Sequence, residues 1–189
     1  MSRLSCEAIG KLGFAAVGKN VAISNRARFY NCAGISIGSN VRIDDFCVLS
    51  AGVSGIHIGS HVHIAVYSSL IGAGKITLSD YCNISSHVSI YSSSDDYSGA
   101  YMTNPTVPPE YTDVFHAAVF FGKHVIVGSG CVILPGITLE EGVAVGALSL
   151  VNHDCKAFGI YAGSPAQRVK ERKSDLLLLE RQFAATTTV

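Results

Sequence analysis

The sequence predicts an all-β chain built as a three-sided prism of stacked parallel coils, and three observations carry that expectation. Branched aliphatics dominate, with 19 Val and 16 Ile against 13 Leu, and 19 Gly stand beside 22 Ser. This mixture favours many short strands and tight turns over helices. An apolar residue also recurs every six positions over most of the chain, and the hexads group in threes, so each turn has three faces. A length of 189 residues suits one domain that buries its own core. With 14 basic against 14 acidic side chains and 15% charged residues, the chain has neither a disordered tail nor a surface for a polyanion, so nucleic acid is not an expected partner. No run of roughly 18 apolar residues predicts membrane insertion. The start, MSRLSCEAIGKLGF, lacks the apolar core and cleavage site of a secretory leader, which makes the cytoplasm the expected compartment.

Residues 1–16 read as a lead-in, and the prism is expected over 17–157. Hexads open at Val17, Ile23 and Phe29, then at Ile37, Ile43 and Leu49, at Ile58, Ile64 and Leu70, and at Leu78, Ile84 and Ile90. They resume at Phe121, Val127 and Ile133 and end with Leu139, Val145 and Val151, giving about six triangular coils. Coil starts lie 20 or 21 residues apart in the first half and 18 apart from Phe121 to Leu139, so each early coil carries a small corner insertion. Such strands are too short to bury themselves, and stability must come from stacking coil on coil at about 4.8 Å. Four positions after each start the residue is mostly compact, as at Val41, Cys47, Val53, Cys82, Cys131 and Cys155, which predicts one large and one small inward side chain per face. Four of the six cysteines are thereby read as small apolar fillers.

Two segments depart from the repeat. From Asp95 to about Ala118 the hexads stop, in a stretch with three of the five prolines and three tyrosines, and a loop of this length is expected to be a functional arm. After the last hexad, residues 158–189 open with a Gly163-Ser164-Pro165-Ala166 turn and then read as a closing α-helix, with Pro165 in its first turn and Leu176, Leu179 and Phe183 on one side.

These features together, the hexads, the arm and the run VGALSLVNHDCKAFGIYAGSPAQRVKER, resemble the hexapeptide-repeat acyltransferases, in particular their sugar and nucleotide-sugar acetyltransferase branch. The resemblance spans about residues 17–173 and implies a left-handed parallel β-helix with a projecting loop and a C-terminal helix. It further implies acetyl-CoA as co-substrate, no metal, a sugar or nucleotide-sugar acceptor of the kind used for lipopolysaccharide O-antigen, and a homotrimer with active sites between subunits. On the same resemblance Ala147, Ser149, Gly163, Ser164, Pro165 and Ala166 would line the pantetheine path. Lys170, assisted by Arg168 or Lys173, would meet the CoA phosphates, as cationic donors do.

The family's catalytic His at the base of the loop is replaced here by Asp95, and its V-x-K-D element reads Val151-Asn152-His153-Asp154. A hydroxyl acceptor needs a general base, usually His. A deprotonated amine attacks a thioester unaided, and carboxylates such as Asp95 and Asp96 would orient its ammonium and accept its proton. The acceptor is therefore expected to be the amino group of a nucleotide-linked amino deoxysugar, with O-acetylation of a sugar hydroxyl as the alternative. His87, just before the arm, and His116, at its far end, are the other candidates for the base. Tyr97, Tyr101, Asn104 and Tyr111 are candidates for sugar or nucleobase contacts. Two other classes stay open. His57, His61, His63 and His87 resemble the zinc histidines of the γ-class carbonic anhydrases without matching their spacing, and a prism of this kind can also serve as a non-catalytic scaffold subunit.

Overall fold

The computed structural model describes residues 2–187. Three parallel sheets wrap one core. The first face stacks Ala16–Val17, Ile35–Ile37, Ile56–Ile58, Ile76–Leu78, Val119–Phe121 and Thr138–Leu139. The second stacks Ala22–Ile23, Arg42–Ile43, His63–Ile64, Asn83–Ile84, Ile126–Val127, Ala144–Val145 and Gly159–Ala162. The third stacks Arg28–Tyr30, Val48–Ala51, Ser69–Gly72, Ser89–Tyr91, Val132–Ile133 and Leu150–Val151. This is the left-handed parallel β-helix, of about seven turns where six were expected. The additional turn is partial: Cys155 bridges to Leu139, and Gly159–Ala162 adds to the second face.

Hexad starts lie directly above one another, as in the register Ile37, Ile58, Leu78, Phe121, Leu139. All but Val17 and Phe29 are buried, and these two belong to the first coil, which has no neighbour below. Each buried Ile or Leu contributes roughly 1.5–3 kcal/mol relative to exposure. The compact slot holds as expected at two corners, with Val41, Cys47, Val62, Cys82, Val125 and Cys131 at 0–1% exposure. At the corner between the third and first faces it fails in the second coil, where Val53 is 96% exposed, and holds in the last coils, where Ile137 and Cys155 are buried. In the coils with inserted residues the inward position moves to two before the next start: Ile35, Ile56, Ile76 and Val119. The coils also approach too closely for side chains at the glycines after first-face strands, and a Cβ at Gly38 would lie 2.6 Å from the Gly59 carbonyl.

The remaining corners are columns of left-handed residues. Between the first and second faces Asn20, Asn40, His61, Tyr81 and His124 have φ of 57–63°. Their side chains stack, with ring centroids 5.1 Å apart for His61–Tyr81 and 4.8 Å for Tyr81–His124. Between the second and third faces Phe46, Tyr67 and His87 form a second stack at 4.8 and 4.9 Å, and Gly130 and Leu148 continue that corner. Helix α1 (Cys6–Lys11), capped by the Ser5 hydroxyl, precedes the first coil.

The C-terminal segment differs from expectation at its start. Pro165 begins no helix: it sits in the turn of an antiparallel hairpin between Gly159–Ala162 and Gln167–Glu171, with a cis Ser164–Pro165 bond. Pairing to the last second-face strand satisfies backbone groups that a helix would leave unpaired, and Ala166 is fully buried beneath the turn. Helix α2 (Leu176–Thr187) follows and crosses the first corner, where Phe183 meets His61 edge-on at 5.2 Å. Glu180 bonds His124 at 2.7 Å and Lys123 at 3.0 Å.

Candidate active site

The arm leaves the prism after strand Ser89–Tyr91, at the corner between the third and first faces. Its base is a short antiparallel ladder in which Ser93 faces His116 and Ser94 faces Phe115. Three bonds moor the ladder to the coil below. The Ser92 hydroxyl donates to the Gly74 carbonyl at 2.7 Å, the Ser92 N–H donates to the Ile71 carbonyl at 3.0 Å, and the Ala73 N–H donates to Ser93 Oγ at 2.7 Å. Beyond the ladder the arm is internally bonded, with a 3₁₀ turn at Pro109–Tyr111 and the Met102 N–H donating to the Tyr111 carbonyl at 2.9 Å.

Asp95 and Asp96 face different environments. Asp96 accepts from the N–H and hydroxyl of Ser98, both at 3.0 Å, and from the N–H groups of Gly99 at 3.1 Å and Tyr101 at 3.2 Å. These donors, Ser98 foremost, hold its carboxyl below the usual carboxylate range, and the group organises the turn 96–101. Asp95 is exposed, and its carboxylate makes no bond to another described residue. It opens, with Asp96, Tyr97, Gly99, Tyr101 and Thr103, onto a cavity of about 380 Å³. Tyr97 and Tyr111 are exposed on the same arm, whereas the Asn104 side-chain oxygen is occupied by the Thr106 N–H and hydroxyl.

His116 stands at the arm base, exposed, with Nδ1 2.8 Å from Ser93 Oγ. His87 does not join it. It occupies the corner between the second and third faces, stacked on Tyr67, and the six residues from His87 to Ser93 span up to about 20 Å of chain across the third face. His87 shares its corner with the region expected to meet CoA, since Leu148 stands two coils, about 10 Å, further along. There Ala147 and the hairpin turn Gly163, Ser164 and Pro165 are exposed. Ser149 and Ala166 have buried side chains, and the Ser149 hydroxyl is spent on the Gly146 carbonyl at 2.7 Å and the Gly163 N–H at 3.1 Å. Of the basic residues, Arg168 pairs with Glu171 at 2.6 Å, whereas the ammonium groups of Lys170 and Lys173 are exposed and unpaired among the described residues.

The four histidines weighed as zinc ligands are dispersed. His57 bonds Ser36 on the first face, His61 stacks on Tyr81, His63 bonds Asp44 on the second face, and His87 lies at the next corner. Among the described residues no group of three or more His, Cys, Asp or Glu is placed to hold a metal. Sequence reasoning missed Ser93, whose hydroxyl bridges prism and arm; its run of serines carries no spacing signal.

No protein-family model matches the sequence. Over 173 residues, 92% of this chain and 90% of the relative, it is 59% identical to the dTDP-4-amino-4,6-dideoxy-D-glucose acyltransferase of Escherichia coli. It is also similar to AntD, an N-acyltransferase from Bacillus cereus, solved with dTDP and 3-hydroxybutyryl-CoA: 43% identity, TM-score 0.96, covering 100% of this chain and 99% of that one. A variant of AntD bound to dTDP-4-amino-4,6-dideoxyglucose and CoA gives 44% identity and a TM-score of 0.95, covering 98% of each chain. With the prism, the arm and these similarities in agreement, the chain belongs to the hexapeptide-repeat acyltransferases, in their nucleotide-sugar branch, and is an acyl-CoA-dependent enzyme.

Proposed function

We propose that the enzyme acetylates the 4-amino group of dTDP-4-amino-4,6-dideoxyglucose with acetyl-CoA as donor, making a sugar unit for a surface polysaccharide such as lipopolysaccharide O-antigen. The observation that carries this reading is the 59% identity, along 92% of the chain, to an acyltransferase bearing that substrate's name. An uncommitted carboxylate where the sugar-hydroxyl enzymes keep a His agrees with it. In AntD the solved variants change one aspartate and a serine ten residues before it, and Asp95 and Ser85 have the same spacing here.

Asp95 binds the sugar ammonium and accepts one of its protons. The freed nitrogen lone pair attacks the thioester carbonyl carbon, so that a C–N bond forms and the C–S bond breaks. CoA leaves as a thiolate and takes up the second proton that the nitrogen sheds, leaving an amide and CoA thiol. Ala147 and the turn Gly163, Ser164 and Pro165 line the pantetheine, Lys170 and Lys173 meet the phosphates, and Tyr97, Tyr101 and Tyr111 contact the nucleotide. One chain holds the arm base and the CoA corner at opposite ends of the third face, so a neighbouring subunit must bring them together, which supports a trimer with sites between subunits. Six free thiols and a CoA donor fit the cytoplasm.

Incubation with acetyl-CoA and dTDP-linked 4-amino, 3-amino and 4-hydroxy sugars, with free thiol as the readout, tests this function. Thiol release is expected with the 4-amino sugar alone. No turnover with any amino sugar, together with no CoA binding by calorimetry, overturns the function. Faster release from 3-hydroxybutyryl-CoA than from acetyl-CoA would overturn the choice of acyl group.

A further inference from the structure

Ser93 is the one side chain of the arm base that touches both the prism and a titratable group of the arm. Its oxygen already accepts the Ala73 N–H at 2.7 Å and lies 2.8 Å from His116 Nδ1. A hydroxyl has one proton to give, and among the described residues His116 Nδ1 is the only acceptor within reach of it. If Nδ1 carried its own proton, Ser93 Oγ would accept twice and its O–H would be left without a protein partner. We infer that Ser93 is a positioning residue that holds His116 in the Nε2–H tautomer, so that His116 serves acyl transfer as a hydrogen-bond donor to an oxygen, not as the base. This rests on the acyltransferase function proposed above, in which the proton of the amine goes to Asp95.

The placement is consistent with that division of labour. Asp95 follows directly on the strand Ser93–Ser94, so an exposed carboxylate and an exposed imidazole share the arm base. In the transfer step His116 moves no proton. Asp95 takes the proton of the ammonium, the C–N bond forms as the C–S bond breaks, and the Nε2–H donates to an oxygen that carries negative charge. Two oxygens have that chemistry, the thioester carbonyl oxygen as it becomes an oxyanion and the diphosphate of the nucleotide sugar.

Nitrogen-15 NMR of the full-length enzyme, with His116→Gln used to assign the signal, reads the tautomer without any turnover. A protonated Nε2 and bare Nδ1 are expected in the wild type, and mixed tautomers in Ser93→Ala. A protonated Nδ1 in the wild type overturns the inference. In kinetics Ser93→Thr, which keeps the hydroxyl, is expected to stay within about threefold of the wild type. Ser93→Ala and His116→Ala should lose about a hundredfold in kcat if the donor serves the oxyanion, or raise KM for the nucleotide sugar about tenfold at constant kcat if it serves the diphosphate. His116→Gln, which keeps a donor, should recover part of either loss. If Ser93→Ala and His116→Ala both match the wild type in kcat and KM, the inference fails. A wild type that turns over no amino sugar would sink the proposed function instead, while the NMR result would still decide the tautomer.

Discussion

Asp96 spends its carboxylate on four donors of its own turn, while the carboxylate of its neighbour Asp95 bonds no other described residue. Asp95→Asn is accordingly expected to lower kcat/KM by about 10²–10⁴, the usual contribution of a positioned proton acceptor, with an unchanged circular dichroism spectrum. A loss under tenfold would remove Asp95 from that role. Because the folded-state pKa of Asp96 is depressed below 3.8, its support of the arm is fully present above that value and is lost as the pH falls through the lower folded value. Chymotrypsin cleavage at Tyr97 and Tyr101 should thus be slow at neutral pH and fast at any pH for Asp96→Ala. The cysteines divide in the same way. Burial pushes Cys47 up to about 11 and Cys82 and Cys155 up to about 12, whereas Cys6 is exposed. A thiol reagent at pH 8 should modify Cys6 first and reach the four buried thiols only after denaturation.

Two elements close the prism. The hairpin Gly159–Ala162 to Gln167–Glu171 covers the open edge of the second face, and α2 clips across the first corner through Phe183 and Glu180. The His124 and Lys123 bonds, His124 first, hold the Glu180 carboxyl below its usual range. Glu180→Gln removes the ionic part of this clip, and it should cost about 1 kcal/mol and lower Tm by about 2–4 °C, with kcat unchanged because the clip lies away from the arm. An unshifted Tm would show that the apolar contact alone seats the helix. The arm instead projects from the prism as a separate two-stranded ladder. Its two-rung ladder is too short to be stable by itself, so the bonds from Ser92 and Ser93 to the coil below set its direction.

For the molecule as a whole, each coil is stable only through its neighbours. At Gly38 a Cβ would come within 2.6 Å of the backbone of the coil above, so Gly38→Val should cost about 3 kcal/mol and destabilise the whole stack. Equilibrium denaturation measures this; a variant as stable as the wild type would show that the coils can separate locally. The same stacking leaves the arm base and the corner proposed to meet CoA at opposite ends of one face. Light scattering is accordingly expected to give three times 19.9 kDa, and a monomer with full activity would refute a site shared between subunits.

The hexads from Ile23 to Val151 determined the prism, its three faces and its core, because a period of six places one residue at the same inward point on every face. They also marked where the arm begins. Tertiary structure alone decided the rest. Val53 fits the repeat yet faces solvent, because inserted residues at one corner shift the inward slot. Pro165 reads as a helix start yet turns a hairpin, because an unpaired strand edge lay beside it. Asp95 and Asp96 are alike in sequence, and only the fold of the arm decides which carboxylate is consumed by backbone donors. His87 and His116 both flank the arm in the chain, but the triangular cross-section sends them to different corners, since local spacing carries no information about which side of a closed coil a residue occupies.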